Sequence, residues 1–366
     1  DAPGVRIDVL LSGVDRAEQS ALSFIGGLQA RTPTLAPDLA AARSAWDDAK
    51  LPQPPPPASR IGVVVGTSRG PVGTWMESFE RLNKTRMLPT LAANSNIVSV
   101  GGTLAIALKA HGPTFTVSAA CASSAHAIAV AAQQILLGTA DVMLAGGTEA
   151  SLHPLIVAQL LAAGILGEHT EPTKVCRPFA RDRNGTILGE GAAFLVLEPA
   201  RLARARGAKI HAWLAGWSVA TEAYQRTGIS ESAHGMQQVM LNALAMAGLA
   251  PEQIGYVNVH GTGTVLGDAR EARALRSVFP RTVPCSSTKP VTGHCMGATS
   301  ALEAVISILA LQQGLLPPTP NCLPLDPACE LDIVHTAPRP APVRAVMCNS
   351  AGFWGCNASL IFTAPT

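Results

Sequence analysis

Three short turns carry the residue types of nucleophilic and acid–base chemistry. Cys121 follows an apolar run at Thr114–Ser118 and opens the small-residue stretch Ala-Ser-Ser-Ala, which reads as the first turn of a helix. A thiol at a helix N-terminus faces unsatisfied backbone N–H groups and the positive end of the dipole, which favours the thiolate. Thiolates attack thioesters, and an acyl-cysteine is itself a thioester, so such a transfer is nearly isoenergetic. Taken alone, the segment is equally consistent with a small buried cysteine on a tightly packed helix. His260 ends a second apolar run and enters His-Gly-Thr-Gly-Thr, with Asp268 eight residues on. His294 sits in Lys-Pro-Val-Thr-Gly-His-Cys-Met-Gly-Ala, five residues after Lys289. Any one of nine histidines is by default structural. What raises these two is that they share the strand-to-turn context of Cys121.

The elements that must position these turns alternate along the chain. Helical stretches are expected around Arg16–Gln29 and Pro37–Lys50, then a stiff proline connector at 52–57. Buried strands are expected at Ile61–Val65, Thr114–Ser118, Asp141–Ala145, Ala192–Leu197, Tyr256–Val259 and Thr282–Ser286, with Val343–Cys348 as the last. Helices are expected at Ala119–Gly138 and about Ala298–Gln313, and 317–342 reads as proline-rich loop. Alternating strands and helices predict an α/β fold with parallel or mixed sheets. A faint repeat accompanies this pattern. Val117–Gly138 and Cys285–Gly314 each run strand, reactive turn, small-residue helix, which would set Cys121 and His294 at matching turns of two related halves, 1–205 and 206–366.

Composition narrows the class. The chain has 366 residues, 48% hydrophobic and 14% charged, with mean hydropathy +0.26. Much of the apolar excess is alanine and glycine, which suits close helix packing and a buried subunit contact. No apolar stretch is long enough for a membrane helix. A net charge of +2 gives no case for nucleic acid or a membrane surface. The eight cysteines include no C-x-x-C pair and no metal-ligand spacing, which suggests reduced thiols and a cytoplasmic setting. The opening Asp-Ala-Pro-Gly does not read as a signal peptide.

Several segments, in order, resemble the β-ketoacyl synthase family. They are Val117-Ser-Ala-Ala-Cys-Ala-Ser-Ser, Asp141–Glu149, Arg177-Pro-Phe-Ala-Arg-Asp-Arg-Asn-Gly and Leu188-Gly-Glu-Gly. His260-Gly-Thr-Gly-Thr with Asp268, Ser287-Thr-Lys289 with His294, and Asn349-Ser-Ala-Gly-Phe-Trp-Gly complete the set. The resemblance covers roughly Ile61–Phe362. It implies a thiolase-like five-layer α/β/α/β/α sandwich of two similar halves, usually a homodimer, though a heterodimer with a related subunit is also known in the family. It implies no bound cofactor or metal; the substrate is carried on the phosphopantetheine arm of an acyl carrier protein. Cys121 would take the acyl group, and His260 and His294 would assist decarboxylation of a malonyl thioester. Backbone N–H groups of Cys121 and Phe353 would form the oxyanion hole. Lys289, with its carboxylate partner Glu303, would organise charge around the histidines, and Asp268 would support them. Thr262 and Thr264 would touch the pantetheine arm, and Phe353 would gate the acyl pocket.

Two departures stand out. The last loop has Ala351 where relatives commonly carry Phe, and Trp354 where they carry Gly. A tryptophan does not readily adopt a glycine's backbone shapes, so both residues are expected either to reshape the acyl pocket or gate, or to compensate within the loop. Second, no opening strand of the family's Val-x-Ile-Thr-Gly-x-Gly type is evident. Other readings fit less well. Gly66-Thr-Ser68-Arg-Gly70 matches a serine nucleophile elbow, but Gly-Pro-Val-Gly is a poor start for the helix such an elbow needs. Gly261-Thr-Gly-Thr-Val-Leu-Gly267 lacks dinucleotide spacing. His294 disfavours relatives with a Cys-His-Asn site, and a degradative thiolase would need a second catalytic cysteine. An inactive partner subunit of a heterodimer is the alternative function.

Overall fold

The computed structural model describes residues 7–11, 37–56, 59–82, 84 and 86–365. The strands are β1 (Ile7–Leu11), β2 (Ile61–Gly66), β3 (Thr114–Val117), β4 (Val142–Glu149), β5 (Gly191–Pro199), β6 (Ala212–Thr221), β7 (Tyr256–Asn258), β8 (Cys285–Ser286), β9 (Leu315–Leu316), β10 (Arg339–Pro340), β11 (Ala345–Ala351) and β12 (Cys356–Thr363). Among the described residues, ten of them form one sheet in the order β3-β2-β4-β5-β1-β6-β12-β11-β7-β8, and β9 and β10 pair separately.

That order contains a repeat. Counting within each half, β1 to β5 and then β6, β7, β8, β11 and β12 both run third, second, fourth, fifth, first. In both halves the second strand is parallel to the third and fourth, while the fifth is antiparallel to its neighbours. The halves join where β1 pairs antiparallel with β6, Ile7 opposite Leu214.

The helices complete five layers. Ser123–Leu136 and Thr299–Gln313 lie side by side and pack against strands of both halves. Almost every residue of Thr299–Leu311 is buried, and both helices are rich in alanine and serine. Small side chains let the helices approach closely, and Ala301 N donates to Ser124 Oγ at 2.9 Å between them. Pro37–Asp48 and Ser99–Leu108 pack on the first half, and His234–Ala247 and Val265–Val278 on the second. The thiolase-like α/β/α/β/α sandwich follows.

Several expectations need correction. An opening strand does exist, as β1 at the centre of the sheet; the charge of Asp8 interrupts its apolar pattern. β4 runs on through Gly146-Gly147 to Glu149. The glycines do not end the strand but permit close approach, since a Cβ on Gly146 would lie 2.0 Å from Ala193 O and one on Gly147 2.6 Å from Ser124 Cβ. β8 is only two residues long. β6 adds a strand beyond those expected, and β11 is followed by β12, whose buried Asn357 and Ser359 disguise an otherwise apolar strand. A helix, Val72–Arg81, does follow Gly70-Pro71. The helix expected at Arg16–Gln29 lies outside the described residues.

Candidate active site

The chain enters the central helix pair through a tight elbow. Ala120, immediately before Cys121, has φ 49°. This left-handed shape costs a residue with a Cβ about 1–2 kcal/mol. Ser123 holds the elbow: its Oγ accepts from Ala119 N at 2.8 Å and donates to Ala120 O at 2.6 Å. Ser300 Oγ donates to Cys121 O at 3.1 Å from the facing helix. The loop after β11 closes over the elbow at Gly352, where a Cβ would meet Ala119 O at 2.8 Å and Cys121 N at 3.0 Å.

The environment of Cys121 differs from the expectation of a ready thiolate. Burial pushes the thiol up to about 12, more than the Lys289 charge and the Phe353 backbone N–H pull it down. The resting sulfur is therefore a thiol and needs a proton acceptor. His294 supplies one: its Nε2 lies 3.2 Å from Cys121 Sγ. With Nε2 accepting, Nδ1 carries the ring proton and donates to Thr299 Oγ1 at 3.0 Å.

The His294 turn is clamped by distant backbone. His294 N donates to Ile187 O at 2.7 Å, and Gly189 N donates to His294 O at 3.1 Å. A Cβ on Gly189 would lie 2.4 Å from Thr292 O, which explains a glycine in the Leu188-Gly-Glu-Gly segment. His260 leaves β7 beside it, the two rings meeting edge-on with centroids 5.5 Å apart and planes at 83°. Burial lowers the pKa of both imidazoles well below the ordinary histidine value, and the Lys289 charge lowers them further. Both are neutral near pH 7. His260 Nδ1 is buried without a hydrogen-bond partner.

Lys289 is fully buried and donates to His260 O and, at 2.5 Å, to Glu303 Oε1. Burial raises Glu303 to about 7, with Lys289 opposing. Lys289 touches the backbone of His260, and its charge acts on both rings. Asp268 is not in contact with either histidine. Its carboxylate accepts from Phe179 N at 2.8 Å and Gly263 N at 3.1 Å, with Arg183 Nε at 3.6 Å, and so braces the Gly261–Thr264 loop. On that loop Thr262 is buried, Thr264 is half-buried, and their hydroxyls lie 3.0 Å apart.

Two carboxylates matter that residue spacing did not single out. Glu271 accepts from His260 N and Gly261 N, both at 2.7 Å, and fixes the His260 turn. Glu149 accepts from Ser68 N at 2.6 Å, Arg69 N at 3.2 Å and Gly297 N at 3.0 Å, tying the loop after β2 to the turn after His294. That use of the Ser68 loop also disposes of the serine-elbow reading. Glu149 stands in the Asp141–Glu149 segment, but its partners are backbone groups about eighty and one hundred and fifty residues away, which no sequence pattern announces.

In the last loop Ala351 is buried in the core of the second half, Phe353 is half-buried, and the Phe353 N–H faces the Cys121 thiol. Trp354 takes the left-handed shape after all, with φ 63° and ψ 13°. Its ring points outward, 63% exposed, against the guanidinium of Arg226 5.7 Å from its centre.

Comparison with known proteins agrees with this geometry. The family model described as "Beta-ketoacyl synthase, N-terminal domain" matches residues 33–203, and its C-terminal counterpart matches 211–323. The 3-oxoacyl-[acyl-carrier-protein] synthase 2 of Coxiella burnetii is 37% identical over 330 residues, covering 88% of this chain and 80% of the relative. The chain belongs to the β-ketoacyl synthase family. Two solved ketosynthase structures superpose with TM-scores of 0.87, each covering 99% of this chain and 100% of the other. One is a ketosynthase in complex with its type II polyketide acyl carrier protein, 27% identical. The other is the ishigamide ketosynthase/chain length factor, 30% identical. As a β-ketoacyl synthase, the chain belongs to an enzyme class of acyltransferases.

Proposed function

We propose that this β-ketoacyl synthase joins an acyl unit to a malonyl unit on an acyl carrier protein, with Cys121 as nucleophile. The observation that carries the reading is the 3.2 Å approach of His294 Nε2 to the buried Cys121 thiol, with neutral His260 edge-on beside it.

In the first half-reaction His294 Nε2 takes the thiol proton as Cys121 Sγ attacks the acyl thioester. The tetrahedral oxyanion is held by the backbone N–H groups of Cys121 and Phe353. The C–S bond to the pantetheine arm breaks, and that departing thiolate recovers the proton from His294. In the second, the malonyl thioester loses carbon dioxide, and its bonding pair becomes an enolate. Neutral His260 donates a hydrogen bond to the enolate oxygen. His294 does so too once its ring proton sits on Nε2 and Thr299 Oγ1 donates to Nδ1 instead, while the nearby Lys289 charge keeps both rings unprotonated. The enolate carbon attacks the acyl-Cys121 carbonyl, a C–C bond forms, the C–S bond breaks, and the cysteine thiolate leaves and takes up one proton from solvent. Thr262 and Thr264 line the approach of the pantetheine arm, and Phe353 gates the acyl chain.

An acyl carrier protein is the partner this reading requires. A homodimer is the favoured assembly: among the described residues β3 pairs on one side only and exposes Phe115, which a second copy can cover. Two halves dividing near residue 205 fit the repeated strand order, and eight free cysteines fit the cytoplasm. Among the described residues no helix is long and apolar enough to cross a membrane. The second reading, an inactive partner of a heterodimer, is disfavoured by the presence of Cys121, His260, His294 and Lys289 together.

The test supplies the purified chain with acyl- and malonyl-carrier thioesters and follows the carrier by mass. A β-ketoacyl carrier is expected from the parent and not from Cys121→Ala. An unchanged carrier pool with every acyl donor refutes the reading.

A further inference from the structure

We propose that Arg226 and Trp354 form a latch that holds the Gly352–Cys356 loop closed over Cys121 and so sets access to that sulfur. The loop has two inner anchors. At its start Gly352 N donates to Cys356 O at 2.7 Å, and Gly352 packs on the backbone of Ala119 and Cys121. At its end Glu222 N donates to Gly355 O at 2.8 Å, and the Glu222 carboxylate accepts from Asn357 Nδ2 at 3.2 Å and from Ser230. Between these anchors lie Phe353 and Trp354.

Trp354 is held from outside. Its N–H donates to Arg226 O at 2.6 Å, and the Arg226 guanidinium covers its ring at 5.7 Å. The ring is largely exposed, so burial does not fix it, while its left-handed backbone is intrinsically disfavoured. The grip of one exposed arginine therefore opposes stored strain. A cation–π contact at the surface is weak enough for an arriving carrier arm to displace. Because the neighbouring Phe353 N–H faces the Cys121 thiol, release of Trp354 frees the peptide that covers the sulfur. Arg226 and Trp354 are thus positioning residues, acting through Phe353.

That an acyl thioester is what enters rests on the ketosynthase reading; the latch itself does not. The test is the rate of carbamidomethylation of Cys121 by iodoacetamide, mapped by peptide mass, in Arg226→Ala, Arg226→Lys and Trp354→Ala, the last of which removes the ring and keeps the left-handed strain. The buried thiols of Cys295 and Cys348 serve as references within the same molecule. Loss of the grip is expected to speed Cys121 alkylation about two- to fivefold in Arg226→Ala and Trp354→Ala. Arg226→Lys, which keeps a cation over the ring, should stay near the parent, and Cys295 and Cys348 should not change. A parental Cys121 rate in Arg226→Ala or in Trp354→Ala overturns the latch. So does a rise shared by Cys295 and Cys348, which would mean general loosening. Alkylation needs no carrier protein, so a chain that fails to condense still answers this question.

Discussion

His294 Nε2 and Cys121 Sγ lie 3.2 Å apart although 173 residues separate them, and each sits at the turn before one of the two central helices. The repeated strand order makes this meeting a property of the fold: the same strand–turn–helix unit occurs in each half and delivers its turn to the common helix pair.

The contact divides the labour of the two histidines. His294→Ala should slow acyl transfer to Cys121 and condensation alike, each by about a hundredfold or more, as expected for removal of a general base. His260→Ala should leave acyl transfer within a few-fold and lose condensation to a similar extent. Single-turnover acylation followed by product mass separates the steps, and equal loss of acylation in both variants contradicts the assignment.

The neutral state of the rings fixes the pH dependence. Both folded pKa values lie well below the usual value of about 6.5. A histidine whose folded pKa is lowered contributes stability above its unfolded pKa and loses it as pH falls from there. Condensation kcat/KM should therefore show no histidine limb centred near 6.5, and its acid limb should lie lower. A midpoint at the ordinary histidine value contradicts the buried, neutral pair.

Much of this was legible in the residues, and what was not has physical reasons. Cys121, His260 and His294 stood out because each follows an apolar run and precedes small residues. Glu271 and Glu149 did not, because each binds backbone N–H groups supplied by turns that only the fold brings near. The helix terminus at Cys121 favours a thiolate, and the burial that outweighs it is a property of the fold that local residues do not reveal. The buried polar residues of β12 disguise it, and the left-handed backbone of Trp354 runs against its propensity, with Arg226 over its ring.

The Lys289–Glu303 pair offers a stability test. Lys289→Met leaves Glu303 buried without its cation and should cost about 3–5 kcal/mol in denaturant unfolding. Since burial raises the Glu303 carboxyl to about 7, the folded state favours its neutral form, and the loss should grow as pH rises through that value. Adding Glu303→Gln should recover most of it. A double variant no more stable than the single one contradicts this account.

Gly352 should tolerate no side chain. A Cβ there would lie 2.8 Å from Ala119 O and 3.0 Å from Cys121 N, both backbone atoms of the elbow. Gly352→Ala should lower condensation kcat/KM about a hundredfold by displacing the nucleophile. Parental activity would mean that the loop does not set the position of Cys121.

The central claim is that Cys121 carries the acyl group. Intact-protein mass after incubation with a panel of acyl-carrier thioesters tests it most directly. The parent should gain the mass of one acyl group, with the most readily accepted chain marking its natural donor, and Cys121→Ala should gain nothing. An adduct of equal yield in Cys121→Ala, or none in the parent with any donor, would contradict the account.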